Sequence, residues 1–81
     1  MGQNTDQMKN DIKGGLSDLA TLRDEIRVKL HLASMDLKDE WKKLEPHILE
    51  VEQAASKVTE ATRGAVQDAV ERLKKLRSKM N

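Results

Sequence analysis

The sequence predicts an all-α protein. The expected form is a long antiparallel two-helix hairpin, turning near Pro46, that associates into a four-helix bundle or a higher coiled-coil oligomer. Composition is the first observation behind this. The chain has 81 residues, 37% apolar and 36% charged, with one Trp, one Pro, four Gly and no Cys, Phe or Tyr. So little bulk gives one copy a thin core, and so few Gly and Pro exclude a loop-rich β fold. The second observation is the spacing of apolar residues. Leu19, Leu22, Ile26, Leu30, Ala33, Leu37, Trp41, Leu44 and Ile48 follow one another at steps of three and four. This eleven-residue repeat holds a stripe on one face of a nearly straight helix. The third is a match between the two halves about Pro46, set out below.

Taken in order, residues 1–15 form a polar N-terminal segment ending in the breaker pair Gly14-Gly15. Met8 and Ile12 lie on the stripe's upstream continuation, so this segment is either disordered or a helical extension. Residues 16–45 form the first helix, with Ser17 and Asp18 available to cap it. Pro46 lacks an N–H and restricts Glu45 before it, which places the turn there. Residues 47–80 form the second helix. Folding the chain at 46 sets large residues of the first arm against small ones of the second. Trp41 then faces Val51, Leu37 faces Ala55, Leu16 faces Leu76 and Ile12 faces Met80. That alternation allows close approach without overpacking.

A second apolar stripe, Val28, Leu32 and Met35, lies on the opposite side of the first helix from Ile26 and Leu30. The second helix carries an apolar arc spanning about half its circumference, including Val66 and Val70. Both features exceed what one partner helix covers. Val28, Leu32, Met35, Val66 and Val70 are therefore the expected self-association residues, since small two-helix units rarely stand alone. The expected partner is a second copy of the chain, with a helix of another protein as the other occupant. Glu25–Lys29, Asp39–Lys43, Asp68–Arg72 and Glu71–Lys75 have the favourable acid-first i, i+4 order and mark solvated faces.

The residues offer little for catalysis. Without cysteine there is no thiolate nucleophile, disulfide or thiolate metal site. His31 and His47 are the two histidines, and neither sits in the Glu-x-x-His pattern of carboxylate-bridged metal bundles. A non-enzymatic protein without cofactor or metal is expected. Arg72, Lys74, Lys75, Arg77 and Lys79 place five cations, and no acid, among residues 72–81. Cations there complement a helix C-terminus. As a group they are also the candidate anion-binding patch, and a small nucleic-acid- or chromosome-associated protein is the alternative function. Membrane binding is not expected, because the polar faces mix both signs of charge. The polar start and absence of a long apolar run point to a cytoplasmic protein.

The stretch Leu22-Arg23-Asp24-Glu25-Ile26-Arg27-Val28-Lys29-Leu30-His31-Leu32-Ala33, with Lys38-Asp39-Glu40-Trp41-Lys42-Lys43-Leu44-Glu45 after it, resembles a group of short bacterial helical-hairpin or coiled-coil proteins. The resemblance covers about a quarter to a third of the chain. It implies the helical fold and a bacterial origin, and it carries no assigned activity. The basic tip lies outside it.

Overall fold

The computed structural model of the protein describes residues 2–80, with side chains from residue 6 onward. Three α-helices account for nearly all of it: α1 (Gly2–Lys29), α2 (Met35–Ala54) and α3 (Glu60–Lys79). A single 3-10 turn, Leu30–Leu32, leads out of α1. Ion pairs give the directions. Arg23 reaches Glu52 at 2.7 Å and Arg27 reaches Glu45 at 3.5 Å, so α2 ascends as α1 descends. Asp11 pairs with Arg63 and Glu25 with Arg77, both 52 positions apart, so α3 runs parallel to α1. The chain is an up-down-up three-helix bundle. Its 48 × 18 × 14 Å extents match the roughly 42 Å expected of a 28-residue helix such as α1.

This corrects the expected hairpin. Pro46 lies inside α2, and the chain reverses at residues 30–34 and 55–59 instead. Ala33 (φ −82°, ψ 154°) and Ser34 (φ −68°, ψ 164°) are extended, which ends the first helical run. The Ser34 hydroxyl then accepts a hydrogen bond from the Leu37 amide, and Asp36 adds an acid to the first turn. At the second reversal Thr59 is extended, its hydroxyl accepts from the Thr62 amide at 3.1 Å and donates to the Thr62 hydroxyl at 2.9 Å. Pro46 survives in α2 because it is exposed while Trp41, Ile48 and Val51 bury around it. The bond it withholds from the Lys42 carbonyl lies at exposed residues, on the side of the helix open to solvent. Of the N-terminal segment 1–15, Met1 lies outside the described residues and the rest is helical, running straight through Gly14-Gly15.

The core forms along α3, on which both other helices pack. Thr62, Val66, Ala69, Val70, Leu73 and Leu76 are buried on it. Ile12, Leu19, Leu22 and Ile26 meet them from α1, and Trp41, Ile48 and Val51 from α2, with Ala55 just beyond. The main stripe of the sequence is thus the core stripe, with the reversal at 30–34 placed between its halves. Val66 and Val70 are interior residues of the single chain and are not available for self-association, contrary to expectation. The half-circumference arc is covered by two helices of the same chain. Gly15 lets α1 and α3 approach: a Cβ there would collide with Cγ1 of Val66. Gly14 and Gly64 face open space.

Three predictions follow from this packing. Gly15→Ala should destabilise by about 1–3 kcal/mol, because the β-branched Val66 cannot turn aside without leaving its rotamer. Gly14→Ala and Gly64→Ala should each stabilise by up to about 1 kcal/mol through helix propensity alone. Urea unfolding followed by far-ultraviolet circular dichroism reads both signs. Pro46→Ala should raise stability by about 1–3 kcal/mol, since it restores a helical bond and removes a clash with the preceding turn. A loss of stability on that change would mean that residue 46 is a helix boundary after all.

Candidate functional site

Two surface features stand apart from the core. The first is an apolar corner where α1 passes into α2. Val28 is 72% exposed on the last turn of α1, Leu32 94% exposed at the end of the 3-10 turn, and Met35 70% exposed at the start of α2. The expected straight stripe is therefore bent around a reversal, and none of its three side chains joins the core. Leu49, on the outer side of α2, is also half-exposed.

The second feature is basic. The five cations expected to act together are split by the 3.6-residue period of α3. Lys74 and Arg77 turn toward α1, beside Asp18, Thr21 and Leu22. Arg72, Lys75 and Lys79 turn toward α2 and line a groove with Glu40, Lys43, Leu44, His47 and Leu76. Its volume is about 390 Å³. Three of the five are held by carboxylates: Arg72 by Asp68 at 3.0 Å, Arg77 by Glu25 at 2.9 Å and Lys79 by Glu40 at 3.2 Å. Lys74 and Lys75 form no ion pair among the described residues, nor does Lys43. Hence, of the expected i, i+4 pairs, Asp68–Arg72 is present, whereas Asp39–Lys43 and Glu71–Lys75 are not. Glu25 is drawn across to α3.

Lys43 and His47 are groove residues that a reading of the C-terminal tip alone misses. Their signal was the i, i+4 spacing on α2 that sets both on the face turned to α3. His47 is half-buried, and its Nε2 is enclosed with no hydrogen-bond partner. His31, by contrast, is exposed near the corner. On the other side of α3 a wider concavity of about 680 Å³ faces α1. Gly14, Gly15 and Gly64 leave it room, and Asp11, Asp18, Asp68 and Glu71 line it. This concavity is acidic, whereas the groove between α2 and α3 is mainly basic.

No group of three or more His, Asp or Glu that could hold a metal occurs among the described residues, and no described helix is long and apolar enough to cross a membrane. These features define a small three-helix α protein with an exposed apolar corner and a basic groove. Comparison with protein-family models, curated proteins and solved structures returns no match.

Proposed function

We propose that the protein is a non-enzymatic helical interaction module that self-associates through the corner formed by Val28, Leu32 and Met35. The observation that carries this reading is the exposure of all three large apolar side chains within eight consecutive positions, while most of the separate main stripe is buried or packed against the core. Scattered exposed apolar residues need no explanation, but several gathered at one reversal favour an interface. A second copy is the occupant that the charges favour. The chain is close to neutral, with a formal net charge of +1, so copies do not repel one another strongly. A two-fold contact centred on Leu32 sets Val28, Leu32 and Met35 of each copy against the same three side chains of the other. Three side chains bury far less than the roughly 800 Å² per partner of a standard stable interface, so the association is weak and concentration-dependent.

Leu32→Asp should lower the weight-average mass measured by sedimentation equilibrium at high micromolar concentration, and leave the helical content intact. Leu32 makes no core contact that the substitution would remove. A wild-type chain that remains monomeric over the same range would overturn the reading.

A further inference from the structure

We infer that the α2/α3 groove is a binding site for a phosphate group carried on an apolar body. This assignment does not rest on the corner. Three independent features of the groove converge on that chemistry.

The first is His47, whose half-buried imidazole lines the groove together with Lys43 and Lys75, so a ligand seated there lies against the ring. The second is charge. Lys43 and Lys75 form no ion pair, and Arg72 and Lys79 are tied only by exposed bridges to Asp68 and Glu40. Such exposed pairs are weak and exchange readily. A phosphate monoester carries close to two negative charges and three acceptor oxygens near neutral pH, so it answers several cationic donors at once, as a single carboxylate does not. The third is the floor. Leu44 and Leu76 lie between the cations. A purely inorganic ion leaves that surface in water, whereas an alkyl or flat apolar body covers it. The groove volume, about 390 Å³, falls within the roughly 300–1,000 Å³ of small-ligand sites.

The test is a titration of the intact, isotopically labelled chain, followed by nuclear magnetic resonance of the His47 ring nitrogens and the backbone amides. The probes are octyl phosphate below its micelle concentration, inorganic phosphate and a short single-stranded DNA. The expected result is saturable binding of octyl phosphate with a shift at the His47 ring. Inorganic phosphate should bind at least tenfold more weakly. The double variant Lys43→Gln, Lys75→Gln should lose at least tenfold in affinity for octyl phosphate; both side chains are exposed and unpaired, so the fold remains. The Leu32→Asp variant should bind octyl phosphate as the wild type does, which separates this site from the self-association corner. Four results would overturn the assignment. These are a silent His47 ring at saturating octyl phosphate, equal affinity for inorganic and octyl phosphate, unchanged affinity in the double variant, or DNA binding that is stronger than octyl phosphate and insensitive to that variant.

Discussion

The apolar arc of α3 is wider than one helix can cover, and the rest of the bundle is arranged to cover it. Thr62, Val66, Ala69, Leu73 and Leu76 descend one side of α3, and Val70 widens the strip. Burying such a surface is the dominant favourable term in folding, and a strip this broad needs neighbours on two sides. α1 and α2 supply them, each with the large residues that the small Val and Ala positions of α3 admit. The pairing of large against small expected of a hairpin at Pro46 is replaced, because α3 runs parallel to α1. Gly15 is a point of close fit, because α1 can settle onto Val66 only where no Cβ intervenes. The ion pairs Arg23–Glu52, Arg63–Asp11 and Arg77–Glu25 then fix direction and register at the edges of the core. Where exposed, such pairs add little stability; their clearer role is to favour one arrangement over its alternatives.

The helical class and the core stripe were legible in the sequence because periodicity reports burial directly. Leu19, Leu22, Ile26, Trp41 and Ile48 are all interior, as the repeat requires. The topology was not legible, and the reason is specific. The reversal at 30–34 falls inside the repeat without breaking its count: Leu30, Ala33 and Leu37 keep their three- and four-residue steps across it. A stripe that continues in number conceals a chain that has changed direction. The local signals were cap residues, Ser34 with Asp36 and Thr59 with Glu60, which are weaker to the eye than a proline. Pro46 drew the turn to itself, yet its cost in a helix falls sharply when the carbonyl it abandons faces water and the buried residues on either side hold the helix together.

The surface was legible in part. Exposure of Val28, Leu32 and Met35 followed from their position away from the main stripe. Val66 and Val70 were misplaced because the arc's second partner was sought in another chain, when it lay twenty residues upstream in the same one. The cationic run 72–79 was visible, but its division between two faces needed the helix positions of α1 and α2. Sequence proximity overstated the patch. Opposite charges on α1 and α2 neutralise part of it, and Lys43 and His47 extend what remains. The two surfaces are proposed to do different work, the corner joining copies and the groove holding a phosphate.

The relation between α1 and α3 is the most direct test of this architecture. Spin labels at positions 11 and 63, diluted with excess unlabelled chain, read it within one molecule. Strong dipolar broadening of the continuous-wave spectrum is the predicted result, because the native Asp11 and Arg63 side chains approach to 3.5 Å. A hairpin turning at Pro46 would set position 63 opposite position 29 instead. Position 11 would then lie 18 residues away along the first helix, about 27 Å at the helical rise. A spectrum without broadening, together with a pulsed dipolar distance near that value, would contradict the three-helix arrangement.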